Sequence, residues 1–538
     1  MNKLTLFPLA LALAAPAFAQ DAYQPSQASL KAHVDFLASD AMRGREAGSP
    51  EYDIAAKYVA TRFAELGLKP AGDDGTYIQK VPLVSAQSTG HGAIAVTRGG
   101  QQTALVFGED YLPGQSLKDP RLSLNAPLVF VGFGVVAPEF KRDDYAGLDV
   151  KGKIVVLLSG APKAIPGEER AHYGNGTTKA IEAEKHGAIG VITLETPTRA
   201  KVLPFARAAK TWDDKRMVWR QPDGSGFSAA PNAPGLAYVS LAGAEKLLAG
   251  IKGGAAAVMA AAETPQGRVK GAALGSTASV LLETEIKPAE SSNVAGMIEG
   301  SDPALKSEVV VLSGHLDHVG ICPEVKGDKI CNGAMDNAVG IASMLEVARG
   351  FVQGGEKPRR SVLFLAVTAE EKGLVGADYF ARNPTLAKER LVADVNLDMP
   401  IITYAFEDVV AFGADHSSIG ATVAKAAAPL GIAVSPDPSP DQAIFTRSDH
   451  YRFVQQGVPS VFIVTGSKGP GETANHDFLA NNYHQPSDQP DLPFDWAAGA
   501  RFVSLNLNIA RELANAPERP RWNKGDFFGN LYNGFGAR

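Results

Sequence analysis

"VVVLSGHLDHVG", Val309 to Gly320, joins an apolar run to two imidazoles and a carboxylate, those of His315, His318 and Asp317. Its first half reads as a buried strand, and its last turn carries groups that titrate or bind metal. The same rhythm returns downstream. "RRSVLFLAVTAEE" is a strand that ends in Glu370-Glu371, "LVADVNLDMP" is a strand that ends in Asp398, and "PSVFIVTG" is a further strand. Helical patterns separate them: "NAVGIASMLEVARG" with Gly350 as its stop, "GLVGADYFARN", and "SSIGATVAKAAAPLG". Strands alternating with helices predict an α/β fold with a mostly parallel, helix-covered sheet. In such sheets ligands bind beyond the carboxyl ends of the strands, where these polar groups stand.

The 538 residues are too many for one ordinary core, so two or three globular units are expected. Hydrophobic residues make up 45% and charged residues 20%, with a formal charge of -6 and no basic stripe, which argues against a nucleic-acid partner. "MNKLTLFPLALALAAPAFA" has the charge, apolar run and small-x-small ending of a secretory signal cut after Ala19. No later run reaches the about 18 apolar residues a membrane span needs. The chain is therefore expected to be exported, periplasmic or secreted. Its only cysteines, Cys322 and Cys331, flank turn residues Pro323 and Gly327-Asp328, and in an oxidising compartment they are expected to pair.

Upstream, residues 29–83 read as helix, loop, helix and strand. Ser49-Pro50 opens the second helix, Ile54, Tyr58, Phe63 and Leu66 give its apolar positions, and Gly67 ends it. Residues 127 to about 275 change character. "PLVFVGFGVV", "GKIVVLLSG" and "TKAIEAEKHGAIGVITLE" form a second strand and helix rhythm, and "GGAAAVMAAAETPQGRVKGAALGS" reads as a return to linker.

Successive units thus bring His315, Glu370, Glu371 and Asp398 to one end of one sheet. Asp336 stands at the start of the next helix and His484 in the late loop "NYHQPSDQP". Carboxylates crowded in this way resist ionising, and a divalent cation removes that cost. Oxygen and imidazole donors suit zinc, with cobalt or manganese as substitutes. If Asp336 bridges, His315, Asp336, Glu371, Asp398 and His484 give each of two metals one imidazole, one terminal carboxylate and one shared carboxylate. Glu370 is then left as a general base. Asp317 would accept the other N–H of the His315 imidazole. His450 and His476 compete by type with His484 for the last place, and His318 reads as a supporting residue.

"SGHLDHVG", "NGAMDNAVGIASMLEVAR", "FLAVTAEEKGLVGADYF", "VNLDM", "RSDHYRFVQQGVPSVFIVTG" and "NYHQPSDQ" together resemble the ordered motif set of the secreted co-catalytic zinc aminopeptidases of clan MH. The resemblance covers roughly 29 to 125 and 280 to 515. The middle, with "DYAGLDVKGKIVVLLSG", resembles a protease-associated domain inserted into such enzymes. It implies a layout of signal peptide 1–19, catalytic domain 20–126 and 279–517, inserted domain 127–278 and C-terminal tail 518–538. It also implies two zinc ions, with His315 and Asp398 on one, Glu371 and His484 on the other, Asp336 between them and Glu370 as base. "YHQPSDQ" matches the family's closing motif, which favours His484. The expected activity is removal of N-terminal residues from peptides with a free amino terminus. A carboxypeptidase, dipeptidase or glutaminyl-cyclase-like enzyme is the alternative on the same fold, and a non-catalytic receptor the alternative of another class.

Overall fold

A computed structural model describes residues 23–355 and 357–538, and the expected signal peptide lies outside them. Helix α1 spans Gln27–Leu37 and α2 spans Pro50–Glu65. The Ser49 hydroxyl accepts the Tyr52 N–H, and Pro50 occupies the first turn, where its missing N–H leaves no bond unmade. The buried face of α2 is Tyr52, Ala55, Ala56, Val59 and Phe63. Ile54, expected in that stripe, is 48% exposed, because one step along a helix turns a side chain by about 100° away from the packed face.

The central sheet takes its strands from the whole chain. The principal ones are β1 (Ile78–Ser88), β2 (Ala272–Ile298), β3 (Val309–His315), β4 (Ser361–Val367), β5 (Leu391–Leu397), β6 (Asp408–Phe412) and β7 (Ser460–Thr465). The spatial order is β1-β2-β4-β3-β5-β7-β6. The four middle strands, β4-β3-β5-β7, are parallel, and the strands flanking them run antiparallel. This is the mixed α/β fold with a large, mostly parallel central sheet that the sequence leads one to expect.

Alternation along each strand feeds two cores. Val310, Leu312 and Phe364 pack with α1, α2, α3 (Val339–Gln353) and α5 (Trp496–Asn515). Val309, Val311, Leu363 and Leu365 pack with Phe380 of α4 (Val375–Arg382) and with Phe453. Both faces being covered explains why these strands read as unbroken apolar runs.

A second unit packs around strands 121–130, 154–158, 190–194 and 235–239, joined in parallel. Its core also draws in Ile94, Val96, Leu105 and Tyr111. The long β2 ties the units together: residues 272–283 pair in this second sheet and 284–294 pair with β1. The stretch expected as linker holds a helix, Gly254–Ala262, with Ala255, Val258, Met259 and Ala262 buried. Alanine's high helix propensity carries it where the sequence shows no strong periodicity. The tail docks rather than hanging free: Trp522 and Phe528 are buried, and the Trp522 indole donates to the Gly457 carbonyl at 2.8 Å. Cys322 and Cys331 are bonded across a two-stranded hairpin. Among the described residues no helix is long and apolar enough to cross a membrane.

Candidate metal centre

His315 is the last residue of β3 and faces Val367, the last of β4, across the parallel ladder. Asp398 follows the last residue of β5 directly. Three neighbouring strands therefore deliver His315, the Glu370-Glu371 turn and Asp398 to the same edge. The imidazole Nε2 of His315 lies 3.1 Å from Asp398 Oδ1 and 3.2 Å from Asp336 Oδ1. On the other side, His484 Nε2 lies 3.3 Å from Asp336 Oδ2 and 3.0 Å from Glu371 Oε2. Asp336 thus stands between two imidazole–carboxylate pairs, one oxygen toward each. His318 Nδ1 sits 2.7 Å from the second Glu371 oxygen.

The turn that carries Asp336 is irregular and is held by side chains. The Asn337 amide donates to the Leu397 carbonyl at 2.9 Å, and its oxygen accepts from Gly340 N and Met399 N. The Asp488 carboxylate accepts the N–H of Met335 at 2.8 Å and that of Asp336 at 3.0 Å. Gly333, at φ +64°, lies so close that an added Cβ would fall 2.3 Å from the Asp336 carbonyl oxygen. Ser448 donates to Asp398 Oδ2 at 2.6 Å. Arg45, fully buried, donates to the carbonyls of Leu37, Leu316, Asn332 and Gly333 and so pins the backbone behind His318. Sequence reading missed Asp488, Arg45 and Ser448. Asp488 lies four residues beyond His484 in the same motif, so proximity to a candidate ligand was the available signal.

Asp317 takes a different part from the one expected. His315 Nδ1 meets the Asp317 backbone carbonyl at 3.1 Å, while the carboxylate accepts Glu370 N at 3.0 Å and Glu371 N at 3.4 Å. The reason is steric: a carboxylate two residues past the strand end reaches the neighbouring turn and leaves its own carbonyl over the ring. Ala369 and Met399, adjacent to Glu370 and Asp398, and His484 itself adopt positive φ, conformations held in place by surrounding structure. Of the competing imidazoles, His450 is buried between Phe445 and Phe462, and His476 is exposed beside Asp477.

The electrostatics are those of crowded, desolvated charge. Burial pushes the Glu370 carboxyl up; the His315 imidazole opposes this, and the charges of Glu371, Asp449 and Asp398 add to it. Burial also raises Asp449, to about 8. For His315 burial alone lowers the pKa, but the Asp398 and Glu370 carboxylates outweigh it and hold the ring well above its ordinary range. The buried Glu371 Oε1 and His484 Nε2 have no hydrogen bond of good geometry. His315, Asp336 and Glu371 each offer a ligand atom within 4.8 Å of the others. Orphaned donor atoms, imidazoles and carboxylates in one buried cluster fit a divalent metal of the zinc type.

Comparison with known proteins agrees with this chemistry. Residues 293–510 match the model of peptidase family M28. Aminopeptidase NAALADL1 of Rattus norvegicus is 25% identical over 324 residues, 52% of this chain and 39% of that protein. The match therefore spans well under half the length of that relative. A probable leucine aminopeptidase 2 of Aspergillus fumigatus is 27% identical over 198 residues, 36% of each chain. The aminopeptidase from Aneurinibacillus sp. strain AM-1 shares the fold, with a TM-score of 0.52 at 19% identity over 93% of this chain and 96% of that one. The fold is thus that of a known aminopeptidase, and the part holding the site matches a peptidase family. The matched stretch, residues 293–510, carries β3, β4, β5, β7 and all five candidate ligands, and it is this part of the chain that is similar to peptidase family M28. The donor set of this matched part fits zinc.

Proposed function

We propose that the chain is an exported aminopeptidase that removes N-terminal residues from peptides. The observation that carries this reading is the placement of Asp336 between the His315–Asp398 and Glu371–His484 pairs. Those five residues would hold two zinc ions, Asp336 shared between them. Bound there, zinc supplies Lewis acidity toward a carbonyl and acidifies water. The Glu370 carboxylate makes no hydrogen bond or ion pair among the described residues, which leaves it free to take the attacking water's proton and deliver it to the leaving amine. Asp317 fixes the Glu370-Glu371 turn through two backbone N–H groups and so aims that base. An unblocked amino terminus is favoured by the surrounding carboxylates. The second unit, read from sequence as an inserted protease-associated domain at 127–278, would border the site and limit substrate length.

The test pairs metal analysis with aminoacyl anilides. Wild type should bind two zinc ions per chain and cleave a free aminoacyl anilide but not its N-acetylated form. Glu370→Gln should keep both metals and lose about 10²- to 10⁴-fold in kcat. Wild-type turnover in that variant would reject the base assignment. A requirement for a free carboxyl terminus instead would favour the carboxypeptidase alternative.

A further inference from the structure

A cavity of about 380 Å³ lies where the second unit meets residues 440–447 of the catalytic unit. It opens beyond the carboxyl ends of strands 154–158 and 190–194, the place where parallel sheets bind ligands. Its charged lining is mostly cationic. Lys163 is paired with Glu263, and Arg170 with Asp441. Arg199 makes no side-chain hydrogen bond or ion pair among the described residues, and Arg447 reaches only the Gln442 carbonyl, at 3.5 Å. Lys179 is 3% exposed and meets the backbone carbonyls of Leu158 and Gly160 but no carboxylate. The hydroxyl of Tyr238, also in the lining, is buried without a partner. Two guanidinium groups with no carboxylate partner line one hollow and repel one another, and a bound anion removes that cost. A guanidinium fork matches a carboxylate in two hydrogen bonds.

Arg447 links the hollow to the metal centre. It lines the cavity together with Arg199. It also directly precedes Ser448, which holds Asp398. We propose that this cavity is a carboxylate-binding site that receives an acidic side chain or the free carboxyl terminus of a short peptide whose amino end lies at the metal centre. The peptide as the source of the carboxylate rests on the aminopeptidase reading. The carboxylate chemistry of the cavity does not.

The experiment uses the full-length, zinc-loaded protein and unblocked peptides of three to six residues. Glu is compared with Gln at each position past the second, and a free carboxyl terminus with its amide, alongside calorimetry with glutarate and with inorganic phosphate. The expected result is at least a ten-fold higher kcat/KM for one carboxylate placement. That ratio should collapse toward one in Arg199→Gln and in Arg447→Gln, either variant sufficing if the other does not fold. Glutarate binding that Arg199→Gln abolishes, with no carboxylate preference among peptides, would keep the site's chemistry and overturn the peptide as its occupant. Equal rates across the peptide pairs with no binding of glutarate or phosphate would overturn the proposal entirely. If neither anilides nor peptides are cleaved, the aminopeptidase reading fails on its own. Calorimetry with the same Glu and Gln peptides then still decides whether the cavity selects a carboxylate.

Discussion

Asp488 touches no partner at the metal centre except backbone, yet it sets where Asp336 stands. Its two oxygens take the N–H groups of Met335 and Asp336, both buried. Hydrogen bonds to a charged acceptor contribute about 1.5–3 kcal/mol each, and leaving buried donors unpaired costs a similar amount. Asp488→Ala is therefore expected to lose stability by about 2–4 kcal/mol in urea unfolding. It should also weaken zinc affinity about 10- to 100-fold in competition with a chromogenic chelator, as removal of a ligand's support does. Asp488→Asn, which keeps one carbonyl acceptor, should fall between. An alanine variant with undiminished zinc affinity would mean that the Asp336 turn is held by Asn337 alone. Asp317 and Asp488 are the same device used twice: one buried carboxylate gathering two successive backbone amides beneath a ligand-bearing turn.

At the scale of elements, the hairpin Gly320–Val325 and Asp328–Cys331 is pressed against the turn at Asp40–Arg45. Gly44 has φ +70°, and a Cβ there would fall 2.4 Å from the Cys331 carbonyl oxygen and 2.5 Å from that of Gly320. Gly44→Ala is expected to cost at least about 2 kcal/mol in urea unfolding, the left-handed backbone alone contributing about 1–2. It should also displace Arg45 from the carbonyls it bridges. The strands and helices that frame this region were legible in the sequence. Apolar runs such as Val309–Leu312 and the Ser49-Pro50 cap are local signals, and burial on both faces or a first-turn proline leaves a direct mark on residue type. Those strands also brought His315, Glu370-Glu371 and Asp398 to one edge by topology alone. What stayed illegible depends on contacts between distant segments. The α2 face buries Ala55 and Ala56 rather than Ile54, the helix Gly254–Ala262 is too uniformly alanine-rich to show a face, and the Asp317 carboxylate turns to the amides of the neighbouring Glu370-Glu371 turn instead of the imidazole beside it.

Across the whole molecule, one imidazole joins three parts of the chain. His416, in the catalytic unit, meets Glu168 of the second unit through Nε2 at 2.6 Å and Asp526 of the tail through Nδ1 at 2.6 Å. Burial disfavours its charged form, but hydrogen bonds to Asp526 and Glu168 and the charges of both outweigh burial and push its pKa up to about 10. The folded value lies above the roughly 6.5 of an unfolded histidine, so the imidazolium's contribution is complete below that pH. It is lost progressively as the pH rises toward 10. The contribution is on the order of a few kcal/mol. Thermal unfolding of wild type should therefore weaken between pH 7 and 10, and His416→Gln should flatten that dependence while starting from a lower midpoint at pH 6. Because the tail and the second unit share this contact, the same rise in pH should expose the segment after Glu518 to limited proteolysis earlier in wild type than any loss of the central sheet by circular dichroism. A variant whose pH slope matches wild type would place the titrating group elsewhere and reduce His416 to a packing residue between Phe445 and Phe528.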